Sequence, residues 1–291
     1  MTPQYFALHS RLGLQHPPIG ASEANIGVED APTAVLDTNF LEKFPGRVTP
    51  YVFPPPSSDA SYWQLVQQHS LAASKLICTN LQANERQVVV GGDHSVTFAS
   101  LHALAQRTNL NTVGYIQIDA HPDLNTVTSS PTGNFHGMYV RAAVEQIGIP
   151  TIDTCFTQKL PVQNIWYFGN LSIDPEEQKF LSEAAISCTS VHEVRSSWQP
   201  LAAKLTQFIS NFQHIHITFD IDSMDTSIAP ATGIPCKNGF LLTDALPLLS
   251  HLTVAAKNWS FDLVEVNPRK LGALQTIATA QTILATVLTS K

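Results

Sequence analysis

Short apolar runs alternate with longer helical patterns through most of this 291-residue chain, and that alternation constrains its fold more than anything else. Strand-like runs lie at residues 87–90, 112–118, 164–168, 187–191, 214–219 and 260–264. Helical spacing fits 62–81, 95–105, 134–147, 175–185, 198–212, 243–252 and a last segment, 271–290. Runs of four to seven residues between helices of ten or more predict a parallel, doubly wound α/β sheet. The runs are nearly continuous in apolar residues, as expected of strands covered on both faces. No linker divides the chain, so one domain over residues 1–291 is expected. The proline-rich stretch 45–58, with Pro54-Pro55-Pro56, reads as a surface loop.

Charge narrows the function classes. With 16 Lys and Arg against 23 Asp and Glu the net charge is −7, which argues against broad nucleic-acid binding. Residues 271–290 carry no charge over about one bilayer span. Their larger apolar residues, Leu274, Ile277, Leu284 and Leu288, fall at helical spacing, so a core-packed helix is expected rather than a membrane span. Cys78, Cys155, Cys188 and Cys236 form no CxxC pair, which fits a reduced, cytoplasmic setting. The opening residues, Met1-Thr2-Pro3-Gln4-Tyr5, do not look like a signal peptide.

In a sheet of this kind ligands gather beyond the carboxyl ends of the strands. Acids and histidines follow four of the apolar runs there. They are Gly91-Gly92-Asp93-His94-Ser95, Asp119-Ala120-His121-Pro122-Asp123, Asp220-Ile221-Asp222 and Glu265-Val266-Asn267-Pro268. Asp119, His121 and Asp123 recur every second residue, as do Asp220 and Asp222, so each set projects to one side. Four carboxylates crowded together cannot all stay ionised without cations. Two divalent ions balance them, with His94 and His121 completing the ligand set. Carboxylate-rich, thiolate-free ligation suits Mn²⁺ better than structural zinc. Two metals sharing a water lower its pKa and make a hydroxide nucleophile, so the expected class is a hydrolase.

These residues resemble the ureohydrolase family, which includes arginases and agmatinases. Gly91-Gly92-Asp93-His94, Asp119-Ala120-His121-Pro122-Asp123 and Phe219-Asp220-Ile221-Asp222-Ser223-Met224-Asp225 are similar to its three metal-binding signatures, in the family's order. The resemblance implies a three-layer αβα sandwich, usually assembled as a trimer or hexamer. It also implies two Mn²⁺ per subunit, other divalent ions being possible. His94 and Asp123 would hold one ion, His121 and Asp222 the other, with Asp119 and Asp220 bridging. Ser130-Pro131-Thr132-Gly133-Asn134-Phe135-His136-Gly137, Asn125 and Asp174 resemble the arginase form.

On that resemblance Asn125, Thr132 and Asn134 would bind the substrate α-carboxylate and Asp174 its α-amino group. Glu265 would face the guanidinium, with Thr232 adding a hydrogen bond. Asp123 would steer the hydroxide, and His136, titrating near neutrality, would relay protons. The implied reaction is hydrolysis of L-arginine to urea and L-ornithine. Agmatine, guanidinobutyrate, another guanidino acid or formiminoglutamate are alternative substrates, and a non-catalytic metal-binding homologue is the other alternative. The partner expected is a small guanidino molecule, with neither nucleic acid nor membrane. The chain departs from the family's pattern at Thr226 and Tyr139, where Pro is common, and at Leu171 and Ser172, where Arg and an acid are usual.

Overall fold

The computed structural model describes residues 1–16, 25–56 and 61–290. Its eight strands are β1 (Thr2–His9), β2 (Arg47–Val52), β3 (Glu85–Gly91), β4 (Val113–Asp119), β5 (Ile165–Gly169), β6 (Ser187–Ser190), β7 (His214–Asp220) and β8 (Trp259–Val264). They form one sheet in the order β2-β1-β3-β8-β7-β4-β5-β6, and every pairing is parallel. Parallel pairing puts all the strand carboxyl ends along one edge. The strands that carry the four acid-and-histidine runs, β3, β8, β7 and β4, are neighbours in the middle of that edge.

Helices cover both faces. On one side lie α1 (Ala31–Val35), α2 (Thr38–Lys43), α8 (Val191–Ser196), α9 (Trp198–Ser210), α10 (Leu242–Ala255) and α11 (Ala273–Thr289). On the other lie α3 (Tyr62–Asn80), α4 (Val96–Ala105), α5 (Tyr139–Val144), α6 (Pro150–Asp153) and α7 (Pro175–Glu183). The alternation of strand side chains splits the apolar interior accordingly. Ile116 and Ile118 enter one core and Tyr115 the other, and Trp166 and Phe168 are set against Ile165 and Tyr167. The expected three-layer α/β architecture is the one observed. Among the described residues no helix is long and apolar enough to cross a membrane.

Three local readings change. Within 45–58, expected as loop, Arg47–Val52 pairs with β1 as the edge strand β2. Its Pro50 is tolerated because an edge strand leaves one side unpaired. Ser57 and Ser58 lie outside the described residues. The segment 134–147 is not one helix but a 3₁₀ turn, Phe135–Gly137, followed by α5. The Gly137 carbonyl accepts from Asn125 N (3.1 Å) and the Arg141 amide donates to Asp123 O (3.4 Å), so bonds to the loop after β4 replace helical ones. In α11 the buried face runs through Thr276, Thr279, Ala280, Ile283, Leu284 and Val287. Leu274 points nearly opposite Ile283 at about 100° per residue and is 86% exposed. Of the expected stripe, Leu284 is buried and Ile277 and Leu288 pack against the core, so the helix is core-packed as expected and only Leu274 falls outside its buried face.

Candidate metal centre and its cavity

The site is assembled from four strand ends and the loops that lock them. After β3 the chain turns at Gly92, where a Cβ would lie 1.9 Å from Ser10 O, so only glycine fits. Asp93, fully buried, then fastens this turn to the segment after β1. Its Oδ2 accepts from Ser10 Oγ (2.7 Å) and Gly13 N (3.3 Å), and its Oδ1 from Ser95 N (3.0 Å). That anchoring sets His94 at the start of α4, aimed across the carboxyl end of the sheet.

β4 ends in Asp119, whose Oδ1 accepts from His121 N (2.8 Å). β7 ends in Asp220, which caps the 3₁₀ turn Ile221–Ser223 by accepting from Asp222 N (2.8 Å). Two acids hold left-handed backbone conformations, Asp123 at φ 54° and Glu265 at φ 65°. Non-glycine residues adopt this conformation only where the surroundings enforce it, and such strain clusters at functional sites. Glu265 is enforced by Gly92, whose carbonyl accepts its amide (2.8 Å).

These turns converge the side chains. His94 Nδ1 lies 3.0 Å from Asp119 Oδ2, 3.1 Å from Asp123 Oδ2 and 3.2 Å from Asp220 Oδ2. His121 Nδ1 lies 3.1 Å from Asp222 Oδ2 and 3.7 Å from Asp119 Oδ1. Two groups of prospective ligands result, His94–Asp119–Asp220 and Asp119–His121–Asp222, each with donor atoms within 4.8 Å of one another. Asp119 belongs to both and turns one oxygen toward each histidine.

The donor set fits divalent cations. His94 Nδ1 is buried without a hydrogen-bond partner although three carboxylates surround it. Donor atoms about 3 Å apart are what neighbouring ligands show around a six-coordinate ion with bonds of about 2.1 Å. Electrostatics agree. Burial, reinforced by the Asp119 charge, pushes the Asp123 carboxyl up to about 7, and burial with Asp222 and Asp119 raises Asp220 well above its ordinary value. Burial alone would lower both imidazoles, yet the facing carboxylates raise His94 and His121 far above theirs. A cluster that retains protons in this way releases them when cations take their place.

A cavity of about 430 Å³ opens above the cluster. His94, His121, Asp123, Asp220 and Asp222 line its floor, with Glu265 and His136 on the wall. Asn125, Ser130, Thr132, Asn134, Ser172 and Asp174 line its outer part. Glu265 is buried and accepts from His94 N (2.9 Å) and Asn25 Nδ2 (2.8 Å); burial, with the Asp93 charge, raises it to about 8. His136 Nδ1 sits 3.9 Å from Glu265 Oε1. Burial lowers His136 to about 4 rather than leaving it near neutrality, so at pH 7 its ring is neutral.

Other expected contacts are partly committed to the protein itself. Asn125 Nδ2 donates to Asp174 Oδ2 (2.8 Å), while Asp174, the N-cap of α7, receives the Glu177 carboxylate on its amide (3.0 Å). Asn134 Oδ1 accepts from His16 N (3.1 Å), and Thr132 Oγ1 from Asn134 N (3.2 Å). Thr232 is buried with a partnerless hydroxyl, and its neighbours Gly233 and Ile234, not Thr232, line the cavity.

Sequence reasoning passed over Asn25, Gln117 and Thr218. Gln117 Nε2 donates to Asp119 Oδ2 (2.7 Å) and Thr218 Oγ1 lies 2.9 Å from His94 Nε2. Gln117 and Thr218 left a signal in the sequence: each is a polar residue inside an apolar strand, two positions before an acid and therefore on its face.

Comparison with known proteins follows the geometry. A sequence model described as Arginase family matches residues 27–289. The arginase of Emericella nidulans is 26% identical over 311 residues, covering 98% of this chain and 96% of that protein. The arginase of Bacillus subtilis is 30% identical over 184 residues, 62% of this chain and 61% of that protein. The crystal structure of Entamoeba histolytica arginase in complex with L-ornithine superimposes with a TM-score of 0.86 at 25% identity, covering 99% of this chain and all of that one.

Proposed function

The chain belongs to the arginase family of hydrolases acting on C–N bonds of linear amidines, and on that premise we propose that it cleaves L-arginine to urea and L-ornithine. The observation that carries the reading is the pair of ligand groups sharing Asp119 beneath a cavity walled by Glu265. His94, Asp119, Asp123 and Asp220 would hold one Mn²⁺, and His121, Asp222, Asp119 and Asp220 the other. When bound, such a pair supplies the Lewis acidity that makes water nucleophilic near neutral pH.

The chain's own groups do the rest. A guanidinium stays protonated at neutral pH and seeks a carboxylate, and Glu265 is the acid on the cavity wall. Ionising Glu265 against that cation offsets the burial that raises its pKa. Asn125, Thr132 and Asn134 supply neutral donors for the α-carboxylate, and Asp174 a charge for the α-amino group. Asn125 and Asp174 bind one another, so they would present both functions as one preset unit. Thr232 does not line the cavity, so its partnerless hydroxyl would reach the guanidinium end only with a shift of Gly233 and Ile234. Asp123 would steer the attacking water and the proton bound for the leaving amine. His136 would relay protons between the site and bulk water. We take residues 1–291 as one catalytic domain, working in the cytoplasm as a trimer or hexamer.

The test is a substrate panel on Mn²⁺-incubated protein, scoring urea and other nitrogen products. Arginine should exceed agmatine, guanidinobutyrate and formiminoglutamate in kcat/KM by at least about a hundredfold, because agmatine leaves the carboxylate donors unpaired. Agmatine turning over as fast as arginine overturns the substrate assignment. Two bound ions with no turnover of any guanidino compound overturns the activity.

A further inference from the structure

Tyr139, fully buried at the start of α5, reaches the back of the candidate metal centre. Its hydroxyl lies 2.8 Å from His94 Nε2, and the two rings pack with centroids 4.9 Å apart.

Hydrogen positions follow from what each partner can do. Asp119 and Asp123, as carboxylates, only accept, so Gln117 must turn its amide nitrogen toward them, at 2.7 and 3.3 Å. The Gln117 carbonyl oxygen then faces the Tyr115 and Tyr139 hydroxyls, at 2.8 and 3.1 Å, and accepts from both. In the arrangement where Tyr139 gives its proton to Gln117 rather than to the Tyr115 hydroxyl 3.0 Å away, it accepts from His94. Nε2 then carries a hydrogen, which leaves Nδ1 as the nitrogen available to a cation among Asp119, Asp123 and Asp220. Thr218, 2.9 Å from the same Nε2, does not decide this, because its own proton is uncommitted and suits either tautomer.

We infer that Tyr139 is a positioning residue, fixing His94 as an Nδ1 ligand and tying it through Gln117 to Asp119, the acid common to both ligand groups. The inference rests on the reading that this cluster takes divalent cations. Partners that orient a ligating histidine typically change metal affinity by about 10- to 100-fold.

Metal-stripped full-length protein titrated with Mn²⁺, by calorimetry with metal analysis, tests it. Wild type should bind in two steps. Tyr139→Phe should weaken one step about tenfold or more and leave the other within about threefold. Tyr115→Phe, which deletes a hydroxyl of the same network that does not touch His94, should leave both within about threefold. Unchanged binding by Tyr139→Phe overturns the inference, as does equal weakening by both variants, which would mark a general loss of packing. If Tyr139→Phe does not fold, Thr218→Val decides: near-wild-type binding supports Tyr139 as the holder, and a loss above tenfold assigns that role to Thr218. Wild type that binds no Mn²⁺ at all removes the underlying metal reading, an outcome distinct from the others.

Discussion

The two faces of the four central strands are equally buried and chemically opposite. Toward α9–α11 they present Val88, Val90, Phe261, Leu263, Ile215, Ile217, Phe219, Ile116 and Ile118. Toward α4 the same strands present Gln87, Ser260, Asp262, His216, Thr218 and Gln117, all within 3% exposure, beside Val89 and Tyr115. Burying polar groups costs free energy unless each finds a partner. Here α4 supplies some of them: Ser100 Oγ donates to Asp262 Oδ1 (2.8 Å) and Thr97 Oγ1 meets Thr218 Oγ1 (3.2 Å), while His216 Nε2 and Asp262 Oδ2 have only each other, 3.3 Å apart. Ser260 Oγ lies 2.7 Å from His216 Nδ1, and Gln87 Nε2 donates to Ser100 Oγ (2.6 Å). Two residues further on, the same alternation delivers Asp119 after Gln117 and Asp220 after Thr218. One set of side chains makes the sheet cohere, and the alternate set makes it a pedestal for the cavity.

That division can be broken at several points. The largest effect belongs to Asp119→Ala or Asp220→Ala, at the end of the polar face. Each should lower urea release by roughly a thousandfold or more, the several kcal/mol expected of metal-derived stabilisation, with loss of bound metal. Metal content and rate both surviving either change would refute the bridging roles. On the apolar face, Phe261→Ala should cost about 3–5 kcal/mol of stability in denaturant unfolding, while folded protein at low temperature keeps kcat within a few fold. A collapse of kcat without loss of folded protein would erase the distinction between the faces.

A smaller step is expected at the cavity wall. His136→Asn should lower kcat by about a hundredfold at unchanged metal content, and an unchanged rate takes His136 out of proton transfer. The smallest effect lies in α7, in the layer covering the polar face. Burial raises Glu177 from 4.5 to about 7, outweighing the amides of Asp174 and Leu124 that it accepts. Native protein therefore holds a proton that the unfolded chain has released, so stability falls as pH rises between those values and levels off above. Glu177→Gln in metal-free protein should flatten that part of the melting-temperature profile; the same slope in both proteins would place the proton elsewhere.

The central strands were readable because strands buried on both faces leave little ambiguity of type or length. Strand β1 was missed because Pro3, Gln4 and His9 interrupt its apolar run, and β2 because the prolines around it read as loop. Both lie toward the sheet's edge, where pairing with a neighbour outweighs local pattern. The candidate ligand cluster was legible because its members sit within a few residues of strand ends. Asn25 was not: it meets Glu265 across 240 positions of sequence, and nothing near it in the chain marks it. The burial that lowers His136 was not legible for a related reason, since burial is a property of the whole fold.

The sheet order carries a consequence for biogenesis. β8 is the last strand to be synthesised, yet it lies between β3 and β7, and it alone brings those two into register. Without it, the facing borders of β3 and β7 have no partner and leave a slot between two half-sheets. Such borders are adhesive toward other chains, so the yield of this protein in a cell should depend on how well that gap is shielded during translation.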